Sequence, residues 1–290
     1  MRNFGASLHR CWIQRGGMPE RNKLRTHPEE VRNERIFITS LARGLSLLET
    51  LADSDTPLTL TQLSRATDMS KATLTRFCHT LAELGYIEKT AAKRYQLTPK
   101  ILGLGYGVIC GYDLCQVAKP YLRDLSRTLG ETVNMAVLED TEILYVARYK
   151  TEQILATELH IGAKLPVYCT SMGKVILAHL PEDEYRSILR RVGWVPLTHN
   201  THSSAEALLT ELAIVRQQGF AVNDEELSVG LRSAAAPIFR QGRPIAAANV
   251  AVPTIRYTRE ALVSKLVPPL INTAKQISLL LEQQVGVQKV

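Results

Sequence analysis

Residues 70–82, SKATLTRFCHTLA, contain Lys71, Arg76 and His79 and no carboxylate. Thr73 and Thr75 lie among them. Cationic and hydroxyl side chains on an acid-free stretch suit a polyanion. A guanidinium donates to guanine O6 and N7 or to a phosphate, and a threonine methyl packs on thymine. Each residue taken singly is also an ordinary solvated side chain, so the carrying element has to decide. A second group lies far along the chain. Cys169, Thr170 and Ser171 precede Met172 and Gly173 at the start of an apolar helical run. Backbone N–H groups exposed at such a helix start can hold a carboxylate, and a glycine there allows close approach. Thr170 or Ser171 acting only as N-cap is the competing reading. In NDEELSVGLRS, residues 223–233, Asn223 stands beside three acids, followed by Arg232 and Ser233. Arg232 is a candidate carboxylate binder or the ion-pair partner of one of those acids.

Enzymatic chemistry has little foothold. His160, His179, His199 and His202 are scattered, and His199, His202 and Cys169 have no metal-motif spacing. G-x-S-x-G, Walker and HExxH patterns do not occur. The five cysteines, at 11, 78, 110, 115 and 169, form no CxxC pair. Cys78 reads as a small buried apolar residue. The expectation is therefore no catalytic residue, no metal ligand and no cofactor. An odd cysteine count without a secretory apolar segment suits a reduced, cytoplasmic protein. No uncharged apolar stretch reaches the length of a membrane span, so no membrane partner is expected.

The elements that must position the first group follow from periodicity. SLARGLSLLETLA places Leu41, Leu45, Leu48 and Leu51 at helical spacing, with Ser40 as N-cap. LTQLSRAT predicts a second short helix, capped by Thr59 and packed through Leu63 and Ala66. After a turn at Met69 and Ser70, Ser70 caps a third helix with the stripe Leu74, Phe77, Leu81 and Leu84, and Gly85 ends it. Tyr86–Lys89 and Arg94–Leu97 read as strands around a basic hairpin. Three helices and a hairpin over 34–98 make a winged helix-turn-helix, a DNA-binding architecture. Lys71, Thr73, Thr75, Arg76 and His79 fall off the apolar stripe and face the major groove. Thr59, Thr61 and Ser70 stand at helix N-termini, where phosphate binds. Lys93 and Arg94 on the wing reach backbone or minor groove. The formal charge is +7. Residues 1–33 hold seven basic against three acidic residues, and 34–98 only eight against seven. Bulk charge thus adds little to the local signal.

Residues 1–33, polar and broken by Gly16, Gly17, Pro19 and Pro28, read as a flexible arm. The alternative is a start codon placed too early. Residues 99–131 read as mixed helical, broken near Gly111 and Pro120, with 99–116 a linker helix that packs on a partner. Leu122, Leu125 and Leu129 mark an amphipathic helix that ends at Gly130. From Thr132 the period shifts to two, with strand pairs around EDTE and within QILATELHIGAKLPVYC. Helices at 170–193 and 203–218 follow, the latter capped by Ser203 or Ser204. Three further strand segments and a closing helix pair, or one interrupted helix, complete an α+β domain over 117–290.

The segments SLARGLSLLETLA, LTLTQLSRATDMSKATLTRFCHTLAELGYI, LPVYCTSMGKVILAHL and GFAVNDEELSVGLRSAAAPIF together resemble the IclR family of bacterial transcription regulators. SLARGLSLLE, TSMGK and EELSVGLRS are most similar to the PcaR/PcaU/PobR branch, which controls aromatic-acid catabolism. The resemblance implies a winged DNA-binding domain, a linker helix used in dimerisation and a GAF-like α/β effector-binding domain. It implies double-stranded operator DNA as partner, and dimers that pair into tetramers. It also implies a protocatechuate-, 4-hydroxybenzoate- or beta-ketoadipate-type effector acid, with activation as the common outcome. The family's effector site maps onto Ser171, Met172, Gly173, Asn223, Ser233, Asn249 and Ala251; Cys169 and Arg232 complete the candidate effector-binding set from the residue reading above. Members that bind glyoxylate or pyruvate have aspartate at the position of Asn223, cysteine at Ser233, and serines at Asn249 and Ala251. The departures imply a different, larger carboxylate.

Overall fold

The computed structural model describes residues 36–54, 56–101, 104, 113–150 and 159–287. The expected arm and most of the expected linker helix lie outside the described residues. The chain divides into two compact units, residues 1–111 and 112–290.

In the first unit, α1 (Thr39–Ala52), α2 (Leu60–Thr67) and α3 (Lys71–Glu83) precede a hairpin of β1 (Ile87–Lys89) and β2 (Tyr95–Leu97). The antiparallel pair runs from Ile87 opposite Leu97 to Lys89 opposite Tyr95. Leu58 bridges to Tyr95 as a third short rung. The core joins Leu47, Leu51, Leu63, Leu74, Cys78, Ile87 and Tyr95. On α1 the buried stripe differs from the expected one. Leu47 and Leu51 are buried, whereas Leu41 and Leu45 are 60% and 52% exposed. A helix this rich in leucine offers more than one apolar stripe, and its packing against α2 and β2 selects the C-terminal one. Ser40 does not cap it either. The helix starts at Thr39, and Ile38 is an N-cap without a side-chain hydrogen bond. On α3, Leu74 and Cys78 take the fully buried places, Phe77 and Leu81 are half-buried, and Leu84 is exposed. Burial pushes the Cys78 thiol up to about 11, as suits an apolar core residue. Gly85, at φ +75°, lets the chain leave α3. There the Tyr86 N–H reaches the Leu81 carbonyl and the Gly85 N–H the Ala82 carbonyl.

The second unit is a six-stranded antiparallel sheet in the order β5-β4-β3-β8-β7-β6. Its strands are β3 (Thr132–Glu139), β4 (Glu142–Tyr149), β5 (Lys164–Pro166), β6 (Ala221–Asp224), β7 (Leu231–Arg240) and β8 (Arg243–Pro253). Strand alternation splits its side chains between two layers. One face buries Val133, Met135, Ala234, Ala236, Val250 and Val252 under α4 (Asp113–Leu129), α8 (Arg259–Lys265) and α9 (Val267–Val287). The other packs Ala235 and Ala247 under α5 (Ser171–His179), α6 (Glu182–Arg191) and α7 (Ala205–Gln218). Helix α4 is continuous through Pro120, where a break is expected from the sequence. Its stripe Leu114, Ala118, Leu122 and Leu125 is fully packed. Burying each such leucine stabilises by about 1.5–3 kcal/mol, comparable to the cost of about 3 kcal/mol for an interior proline. Of the strand pair expected in residues 153–169, β5 is seen and 151–158 lie outside the described residues. The closing segment is a helix pair, α8 and α9.

Candidate functional site

In the first unit, Thr59 accepts from the Gln62 backbone N–H while the Gln62 side chain accepts from the Thr59 N–H, a complete capping box that starts α2. Ser70 does the same work for α3, accepting from Thr73 N–H at 3.2 Å, and its hydroxyl also meets Thr73 Oγ1 at 2.9 Å. The two helix starts are thus built by the residues expected to meet phosphate. Lys71, Thr75, Arg76 and His79 are exposed on α3, away from Leu74 and Cys78, and Thr73 is half-buried. Thr75 Oγ1 returns its proton to the Lys71 carbonyl. Thr61 is exposed on α2. On the wing, Lys93 holds the turn at φ +57°, and Arg94 donates from Nη1 to the Pro57 carbonyl at 3.2 Å. Among the described residues, α3 therefore presents two cations and an imidazole with no acid between them until Glu83.

In the second unit, sheet register and one helix start make a small, partly enclosed polar cavity. Arg148 of β4 lies opposite Asn134 of β3, and Asn134 lies opposite Asn249 of β8. Ala251 of β8 lies opposite both Thr132 of β3 and Ser233 of β7, and Ser233 opposite Asn223 of β6. All share the sheet face that looks toward the start of α5, where Thr170 and Ser171 close the cavity. Tyr145, Leu159, Leu227 and Leu231 add apolar wall. Asn134 Nδ2 donates to Asn249 Oδ1 at 2.8 Å, and Arg148 Nη1 to Asn134 Oδ1 at 3.4 Å. The Ser171 and Ser233 hydroxyls stand 2.8 Å apart. Asn223 donates from Nδ2 to the Cys169 carbonyl and accepts the Glu226 N–H at Oδ1. Burial holds the Tyr145 phenol above its ordinary range and the Arg148 guanidinium below its own. Among the described residues, the lining carries one cation and no carboxylate, which favours an anionic guest.

Two family descriptions cover most of the chain: the IclR helix-turn-helix domain over residues 40–91, and the bacterial transcriptional regulator IclR C-terminal domain over 107–279. The chain belongs to the IclR family. This IclR-family protein is 38% identical to the Pca regulon regulatory protein of Pseudomonas putida, over 83% of each chain. It is 35% identical to the regulator KdgR of Escherichia coli K12, over 83% of this chain and 92% of the relative. Its fold matches the crystal structure of a transcriptional regulator from Rhodococcus sp. RHA1 with a TM-score of 0.73. That match has 39% identity and covers 84% of this chain and 98% of the other. The protein is a DNA-binding transcription regulator and not an enzyme. No described helix is long and apolar enough to cross a membrane.

Within this IclR-family unit, Ser171, Asn223, Ser233, Asn249 and Ala251 come together around the cavity. Cys169, Met172, Gly173 and Arg232 are not among its lining. Cys169 and Met172 are buried in the packing beneath α5, and burial pushes the Cys169 thiol well up. Gly173 serves close approach, but by the chain itself. A Cβ there would lie 2.2 Å from the Val167 carbonyl oxygen and 2.5 Å from its Cα. Thr170 caps α5 by accepting the Gly173 N–H. Arg232 takes the ion-pair alternative, meeting Asp224 at 2.6 Å and donating to the Tyr257 carbonyl. Asp224 and Arg232 are register partners on β6 and β7, so the pair is cross-strand. Sequence reading missed Thr132, Asn134, Tyr145 and Arg148. In TVNMAVLEDTEILYVARYK, Thr132 and Asn134 interrupt an apolar strand two positions apart, and that is the signal that singles them out.

Proposed function

We propose that this regulator activates genes of aromatic-acid degradation, and that a small carboxylic acid of the protocatechuate, 4-hydroxybenzoate or beta-ketoadipate type is its effector. The observation that carries the reading is the cavity in the second unit, where Arg148, the one charged side chain among the described lining residues, stands beside Asn134 among asparagines, serines and apolar wall. A guanidinium in a buried site pairs a carboxylate well. The Ser171, Ser233, Asn223 and Asn249 groups suit further oxygens of the same guest. The relationship to the Pca regulon regulatory protein supports the pathway class. The second unit, an antiparallel sheet with helices on both faces, serves as a GAF-like effector domain. Residues 34–98 bind operator DNA, with Lys71, Thr73, Thr75, Arg76 and His79 in the major groove and Thr59, Thr61, Ser70, Lys93 and Arg94 on the backbone. The protein acts in the cytoplasm as a dimer or a pair of dimers on repeated or palindromic sites. Effector binding shifts the population of geometries and so the spacing of the two recognition helices.

Isothermal titration of the full-length protein with these three acids, glyoxylate and pyruvate tests the effector. Saturable binding by one of the three acids, weakened in Arg148→Gln, is expected; binding by glyoxylate or pyruvate alone sinks the proposal. The alternative is a repressor of the same architecture responding to another small carboxylic acid. Footprinting on the target promoter separates the two, because a protected site upstream of the polymerase footprint supports activation and one overlapping it supports repression.

A further inference from the structure

We propose that His202, Glu211 and Glu226 form a binding site for one divalent cation of the zinc type, next to the buried Lys174. His202 Nε2 lies 2.6 Å from Glu211 Oε2 and 3.9 Å from Glu226 Oε2. One ligand atom from each of the three residues falls within 4.8 Å of the others. Residue spacing alone suggests no such site, because the three come from the loop before α7, from α7 itself and from the turn after β6.

The Lys174 ammonium, fully buried, spends its protons on the Glu211 Oε1, the Glu226 Oε1 and the Val222 carbonyl, at 2.7, 2.5 and 2.7 Å. It orients both carboxylates and leaves their Oε2 atoms toward His202. The Glu226 side chain is only 8% exposed, yet its Oε2 is buried and has no hydrogen-bond partner. A buried carboxylate oxygen in that condition is costly, and a cation removes the cost. Charge counting points the same way. Two carboxylates and one ammonium leave one negative charge when the imidazole is neutral. Imidazole nitrogen and carboxylate oxygen are both zinc donors, and three protein ligands leave a fourth position for solvent. His202 and Glu211, 23% and 28% exposed, provide the path of entry. Ligands of one tetrahedral zinc stand about 3.3 Å apart, so the His202–Glu211 hydrogen bond opens by less than about 1 Å on binding.

The site is joined to the cavity wall. Lys174 sits one turn after Ser171 on α5, and Glu226 donates its N–H to Asn223. A bound cation would brace the side of the cavity that these residues form.

The test is calorimetric titration of the metal-free full-length protein with zinc chloride. One zinc per chain is expected, weakened at least tenfold in His202→Gln and unchanged in His160→Gln, an exposed histidine outside the cluster. Glu211→Gln repeats the test if His202→Gln does not fold. Cobalt(II) added to the wild-type protein gives a reading independent of any variant: absorption bands of nitrogen and oxygen ligation support the site, and a thiolate charge-transfer band overturns it. Equal zinc binding in wild type and His202→Gln also overturns it. So does the absence of saturable binding, which leaves the cluster holding a proton only.

Discussion

Lys71, Thr75, Arg76 and His79 are exposed on the outer face of one short helix, whereas Asn134, Ser171, Asn223, Ser233 and Asn249 are buried and come from five different elements. The first set touches little that holds its unit together. The second set is part of the hydrogen-bonding of the fold, through Asn134–Asn249 and Ser171–Ser233. Function and stability are therefore separable in the DNA-facing unit and entangled in the other. On the proposed reading, groove contacts come from side chains that solvent already surrounds, so replacing them should remove binding and little else. A cavity is made by withholding atoms from a core, so every polar group around it needs a partner when the guest is absent.

Replacing Lys71 and Arg76 together by alanine should give the largest effect. Operator affinity is expected to fall by about 100-fold or more, with a shallower salt dependence and an unchanged melting temperature. Mobility-shift titrations at two salt concentrations check it. An equal fall in melting temperature would break the separation argued above. Leu74→Ala on the same helix should do the reverse, costing about 2–5 kcal/mol of stability in denaturant unfolding. Gly173→Ala tests the packing role of that glycine. Its Cβ meets the backbone of Val167, and a loss of about 1–3 kcal/mol is expected even though no ligand is present. Unfolding at equal stability to wild type would return Gly173 to the ligand. Asn134→Ala should weaken effector binding about tenfold and also lower the melting temperature, because it strands Asn249. Operator binding without effector should stay intact. The smallest effect belongs to Leu84→Ser, within about 0.5 kcal/mol of wild type, since Leu84 is half exposed at the end of α3.

What was legible in the sequence divides along the same line. The α2 and α3 caps at Thr59 and Ser70, the Gly85 stop and the hairpin follow from local chemistry, and each appears where expected. On α1 the sequence offered Leu41, Leu45, Leu48 and Leu51 at helical spacing, and packing kept Leu51, added Leu47 and left Leu41 and Leu45 exposed. In the second unit, Ser171, Asn223, Ser233, Asn249 and Ala251 were recoverable through family resemblance. Arg148 was not, and Asn134 shows in the sequence only as a polar interruption of an apolar strand, since strand register alone sets them beside Asn249. For Arg232 the sequence left carboxylate binding and an ion pair with a neighbouring acid open, and the structure pairs it with Asp224.

The sequence by itself determined the type of most described elements, the acid-free face of α3 and the family, because caps, turns and apolar periods act over a few residues. Which leucines of α1 are core, which arginine enters the cavity and why residue 173 must be glycine were decided only by tertiary structure. Those outcomes depend on which strand lies opposite which and on how closely Val167 approaches α5. Such distances are set by the packing of residues far apart in the chain, and no short-range pattern encodes them.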